Sequence, residues 1–167
     1  MIRLLRLSMA ATLLLAIAAV TASAQDNPSI AMIGKWTGTF RPVLLTQDIR
    51  NAGGDIGRMS GNVELQPVHE SGQDFYNVLI QVSTNVAGQT LEWGVSMGRC
   101  GSKLIMLEHA NQLPAFETRP GGEGEMRHQV ALPMDANHTY QVGLFRNGHA
   151  QQNMVACANL KYDDRMR

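Results

Sequence analysis

Apolar and polar residues alternate in short runs along most of this chain, and that period of two predicts strands. The clearest run is Phe75–Ser83, where Tyr76, Val78, Ile80 and Val82 alternate with Asn77, Leu79, Gln81 and Ser83. Leu91–Met97 sets Leu91, Trp93, Val95 and Met97 on one face and Glu92, Gly94 and Ser96 on the other. In Gly34–Leu45, Trp36, Gly38 and Phe40 share a face, and Pro42 marks an edge or the end of pairing. Gly61–Val68 turns Val63 and Leu65 inward. Glu125–Leu132 aligns Met126, His128, Val130 and Leu132, and Thr139–Arg146 aligns Tyr140, Val142 and Leu144. Lys103–Leu107 and Val155–Leu160 complete a set of eight strands.

Breaker residues separate these runs. His69–Asp74 reads as a polar turn. Asn147-Gly148 reads as a two-residue hairpin turn, because both residues accept positive φ. Thr46–Ser60 and Glu108–Gly124 are the long irregular stretches, and loops of that length are often functional. Lys161–Arg167 reads as a charged, frayed end. Short strands joined by Gly/Pro turns, with no long helical period, predict an all-β fold: an eight-stranded Greek-key sandwich or barrel with one disulfide. It is expected as a single domain over residues 34–162, after a flexible lead-in at 25–33 and before a tail at 163–167.

The first 24 residues fit a cleaved secretory signal. Arg3 and Arg6 precede the apolar run Leu7–Val20, and Ala22-Ser23-Ala24 forms a small-residue cleavage site. The run is short for a bilayer span, which needs roughly 20 residues, and no later segment is apolar enough to be one. The expected destination is the periplasm or the medium. Lys+Arg and Asp+Glu each number 14 in the chain, and losing Arg3 and Arg6 leaves the remainder slightly acidic. That balance offers no basic footprint for nucleic acid or anionic membrane.

The chain has two cysteines, Cys100 and Cys157, each at the edge of an apolar strand pattern. In an exported protein they read as one structural disulfide. The alternative is a pair of free thiols in a metal or redox site, although no CxxC spacing is present.

The two cysteine segments carry a resemblance. Trp93-x-Val95-x-x-Gly98-x-Cys100 resembles the WHVHxGxC stretch of bacterial proteins in the copper/zinc superoxide dismutase-like superfamily, and Val155-Ala156-Cys157-Ala158-Asn159-Leu160 resembles its closing VACGDL. Leu113-Pro114-Ala115-Phe116 and Tyr140-x-Val142 fall where such domains have a YPxL-type loop and their penultimate strand. The resemblance covers roughly residues 60–160. It implies an eight-stranded Greek-key sandwich with a disulfide from a loop to the last strand. It also implies which residues would have held copper: the two fourth-strand histidines of the metal-binding members correspond to Gly94 and Ser96, and a later histidine falls near Phe145. None of these is a useful copper ligand, so the resemblance does not carry dismutase activity over.

Other chemistry has little support in the sequence. The chain's five histidines include no HxH, HxxxH or HExxH spacing. A rearranged metal site drawing on His109, His128 and His149 is the alternative to scattered histidines. Thioethers with imidazole could hold Cu(I), but no MxM or MxxM cluster occurs and several methionines sit on predicted core faces. There is no GxSxG nucleophile motif, no catalytic residue is assigned and no cofactor is expected. The sequence therefore points to an exported, non-catalytic binding or interaction protein with an unspecified protein or small-molecule partner. Its contact surface is expected to include loops 46–60 and 108–124. The alternative is a periplasmic copper-binding or divergent dismutase-like protein.

Overall fold

Alternation turns into burial once the strands pair, because successive side chains of a strand point to opposite faces. The structure, a computed structural model, describes residues 34–43, 58–70, 73–107 and 113–164. The expected leader and lead-in, positions 46–57 of the first long loop, and His109 lie outside the described residues.

Among the described residues ten strands follow one another: β1 (Lys35–Pro42), β2 (Ser60–Glu70), β3 (Gln73–Ser83), β4 (Thr90–Met97), β5 (Ile105–Met106), β6 (Phe116–Glu117), β7 (Glu123–Val130), β8 (Tyr140–Phe145), β9 (Met154–Asn159) and β10 (Lys161–Asp163). All pairings are antiparallel, in the order β5-β4-β8-β9-β1-β2-β3-β7, with β10 beside β1 and β6 beside β4. Chain-sequential strands β3 and β4 are not neighbours, nor are β7 and β8, so these connections cross between the two halves of the sheet in Greek-key fashion. The sheet curls strongly into a half-barrel. The bend centres on β1: Trp36–Phe40 pair with β2, while Arg41 and Pro42 pair with Cys157 and Ala156 of β9.

The inward residues of both halves form one core. Val63, Leu65, Val78, Ile80, Leu91, Trp93, Val142 and Leu144 are all buried in it. Trp36 sits edge-on to Tyr140, with ring centroids 5.3 Å apart, and also packs against Tyr162 at 5.0 Å. Trp93 donates its indole N–H to the Pro114 carbonyl at 3.1 Å. Fully burying one such large apolar side chain stabilises the fold by about 1.5–3 kcal/mol.

All eight expected strands are present, and the differences lie at their ends. The β2–β3 ladder runs through His69↔Asp74 to Glu70↔Gln73, so four of the six residues of the expected turn at His69–Asp74 belong to strands, and the other two lie outside the described residues. Lys161–Asp163 is not frayed: as β10 it pairs with Thr37–Lys35, because Tyr162 has Trp36 to pack on. Positions 108–112 of the second long stretch lie outside the described residues, and its remainder, 113–124, is not wholly irregular, since it contains β6 and the start of β7. Asn147 and Gly148 both take positive φ, as their residue types require, at 60° and 96°. Yet the connection is no two-residue hairpin. It runs through a 3-10 turn at Gln151–Asn153 and closes where Arg146 N–H donates to the Asn153 carbonyl at 3.0 Å.

Candidate functional site

The outer face of the β4–β8–β9 half follows from register. Gly94 is paired with Gly143, Ser96 with Gln141, and Gly143 with Cys157. Gly94, Ser96 and Phe145 therefore share one outward face. This face is not solvated. All six residues of β8 are buried, and Phe145, Met154 and Cys157 form a second apolar cluster with Val43, Cys100, Leu104 and Met106 packed against it. A β-carbon at Gly94 would collide with Met106 Cε, and one at Gly143 would lie 2.6 Å from Phe145 Cζ. The two missing β-carbons are what let a methionine and a phenylalanine lie flat on the sheet. Ser96 Oγ is buried beneath this layer without a hydrogen-bond partner among the described residues.

His149 lies at the rim of the same layer. Its Nε2 is 2.9 Å from the Trp93 carbonyl oxygen, its Nδ1 is 3.4 Å from Glu92 Oε2, and its ring is 5.1 Å from that of Phe145. His128 is elsewhere: it stands edge-on to the Trp93 indole at 6.3 Å. The Trp93 side chain points into the core, whereas His149 approaches over Gly94, the next residue, whose Cα substituent points the other way. The sheet thus separates His128 from His149. Among the described residues, no three His, Cys, Asp or Glu side chains are grouped so as to hold a metal ion.

Cys100 and Cys157 are joined by a disulfide, with Cα atoms 5.9 Å apart. Cys100 lies in the loop after β4 and Cys157 in β9, and the bond suits an oxidising environment. Cys100 N–H donates to Asn159 Oδ1 at 2.7 Å, and Gln141 Oε1 lies 3.0 Å from Cys157 Sγ. The disulfide divides the outer surface: the apolar layer lies on one side, and on the other opens a groove of about 690 Å³.

The groove runs along β1 where the sheet bends. Thr37 and Thr39 of β1, Asn62 and Glu64 of β2, and Leu79 and Gln81 of β3 contribute to it. They are the outward partners of inward core residues, aligned by Thr37↔Glu64↔Leu79 and Thr39↔Asn62↔Gln81. Arg41 and Lys161 also line it, Lys161 opposite Thr37 and Arg41 four residues further along β1. Glu64 is bound to Lys35 Nζ at 2.9 Å. Next to the groove, the hydrogen bond from Gln81 and then Arg127 hold the Glu125 carboxyl below the usual carboxylate range. Its volume is within the range of small-ligand sites, roughly 300–1,000 Å³. The groove is missing from the expectations drawn on the sequence. Its only trace there is the set of polar outward positions on three separate strands, and their alignment depends on register.

Compared with family models, with curated proteins and with solved structures, the chain returns no match in any of the three.

Proposed function

We propose that this protein is an exported, non-catalytic β-sandwich binding module that works in the periplasm or outside the cell. In this reading it is akin to the copper/zinc superoxide dismutase-like superfamily, with the copper face given over to packing. One observation carries the reading: the outer face holding Gly94, Ser96 and Phe145 is filled by Met106 and the Phe145 ring, while an open polar groove lies just across the disulfide. The Greek-key order and the disulfide from a loop to β9 support the kinship. The disulfide and the leader-like N-terminus support export.

A copper-binding reading has one observation in its favour. Met106 Sδ and His149 Cδ2 lie 3.6 and 3.4 Å from the β-carbon position of Gly94, so a thioether and an imidazole approach one point. Against it, both imidazole nitrogens already face oxygen partners.

Amide NMR of the isotope-labelled, disulfide-bonded protein separates the two. Titration with copper and with a library of short peptides and small acids is expected to move resonances along Thr37–Arg41 and Asn62–Glu64 with the organic ligands. Stoichiometric copper retention after desalting, with shifts centred on His149 and Met106, would overturn the binding-module reading.

A further inference from the structure

The groove beside the disulfide has a chemistry of its own, defined by which of its polar groups are already used. Lys35 is committed to Glu64, whereas Arg41 and Lys161 line the groove without an ion-pair partner among the described residues. Asn62 accepts the Thr39 hydroxyl at its Oδ1 (3.3 Å), and Asn159 accepts Cys100 N–H at its Oδ1. Each of these amides therefore retains its NH₂ group as a donor. Gln81 does the reverse: its NH₂ donates to Glu125 Oε2 at 3.0 Å, which leaves its oxygen to accept. Among the described residues, the groove thus offers two cations without an ion-pair partner, two amide donors and one amide acceptor, while its Glu64 carboxylate is paired with Lys35. Among the described residues its lining contains no aromatic ring, so these residues give no platform for stacking a sugar or a base.

The placement of the cations narrows the ligand. Lys161 is the cross-strand partner of Thr37, and Arg41 stands four residues further along β1. At about 3.3 Å per residue the two anchor points are roughly 13 Å apart along the strand. An extended peptide lying parallel or antiparallel to β1 covers that distance in the same four residues. Resting on the binding-module reading, we infer that the groove takes an extended acidic peptide with carboxylates four residues apart. One carboxylate pairs with Arg41 and the other with Lys161. The peptide carbonyls accept from the Asn62 and Asn159 amides, and a peptide N–H donates to Gln81. Arg41 has the planar donor fork suited to a bidentate carboxylate, and Lys161 supplies a point charge.

The test uses fluorescence anisotropy with the disulfide-bonded protein and labelled peptides that carry two Glu residues four apart in a Ser/Thr background. Controls carry Gln in place of Glu, or Lys in place of Glu. The acidic peptide is expected to bind best, and its binding is expected to weaken with added salt. Arg41→Glu and Lys161→Glu should each weaken it about tenfold or more, the scale of a lost charge-assisted hydrogen bond. Moving the two Glu residues to adjacent positions should give a loss similar to one of these substitutions. Both cations are exposed, and unfolding curves of the variants check that they remain folded. The variant Asn62→Trp, which fills the groove, separates the two levels of the argument. If the Gln or Lys peptide binds as well as the acidic one, and Asn62→Trp blocks it, the groove is a binding site but the acidic class is wrong. If the acidic peptide binds unchanged in Arg41→Glu and Lys161→Glu, the class is likewise wrong. If no peptide of any charge binds in a way that Asn62→Trp blocks, both the inference and the groove reading fall.

Discussion

Gly94 and Gly143 face each other across β4 and β8, and Met106 and Phe145 occupy the space their missing β-carbons leave. The two glycines differ in what a methyl group would strike. At Gly94 it meets the terminal methyl of a flexible methionine, which can swing away. At Gly143 it meets Phe145 Cζ at 2.6 Å and Cε2 at 2.8 Å, in a ring that is fully buried. Gly143→Ala is therefore expected to destabilise by about 1–3 kcal/mol, the usual cost of overpacking, and Gly94→Ala by about 1 kcal/mol or less. Urea unfolding of both variants checks the order. Equal costs would mean that Met106 is held as firmly as Phe145.

The disulfide closes a chain separation of 57 residues. The chain-entropy model assigns about 4 kcal/mol to a loop of that length. The double variant Cys100→Ser, Cys157→Ser is expected to lose a stability of that order, and reductant should have the same effect on the wild-type protein and none on the variant. Paired denaturation curves with and without reductant measure both. Since the bond also lines the groove, peptide binding should be measured on the same samples.

The two tryptophans offer a contrast in hydrogen bonding. Trp93 Nε1 donates to the Pro114 carbonyl, whereas Trp36 Nε1 is buried with no partner among the described residues. Phenylalanine in either place removes a similar volume of ring, but only at position 93 does it also break a hydrogen bond. Trp93→Phe is expected to cost about 1 kcal/mol more than Trp36→Phe. Equal losses in thermal unfolding would indicate that the Pro114 contact contributes nothing net.

Asp135 provides a pH-dependent contribution. Its carboxylate accepts the Asn137 backbone N–H at 2.7 Å and faces His138 Nδ1 at 2.7 Å, and the Asn137 bond, followed by His138, holds the carboxyl below its ordinary value of 3.8. A pKa depressed by folding means that the ionised form favours the native state. The contribution is present above the unfolded-state value and is lost as pH falls through the native one. NMR titration of the side-chain carbon should find a midpoint below 3.8. Asp135→Asn should flatten the acid limb of the stability curve slightly and leave neutral stability close to unchanged, because the group is exposed. A midpoint at or above the ordinary value would refute this account.

How much of the molecule was legible in the sequence can be judged strand by strand. β3 was plain, because Tyr76, Val78, Ile80 and Val82 alternate without interruption and all four are buried. β10 was hidden, because the three residues Lys161–Asp163 are too short a run to show a period, and they pair where Tyr162 finds Trp36. The inner face of β8 was read correctly from Tyr140, Val142 and Leu144. Its outer face carries no such signal, because Gln141 and Gly143 are buried only once Met106 and the disulfide loop pack on that side.

The sequence by itself determined the all-β class, the inward faces of the long strands and the opportunity for one disulfide. These depend on local period and residue type, which the chain carries wherever it is placed. Tertiary structure alone decided that Gly94 lies beside Gly143, that the face they share is packed rather than open, and that Arg41, Lys161, Asn62 and Gln81 line one groove. Those relationships depend on register between strands distant in the chain, and a one-residue slip would exchange every inward side chain for an outward one. Register is set by the fit of the whole core. No single segment holds that information.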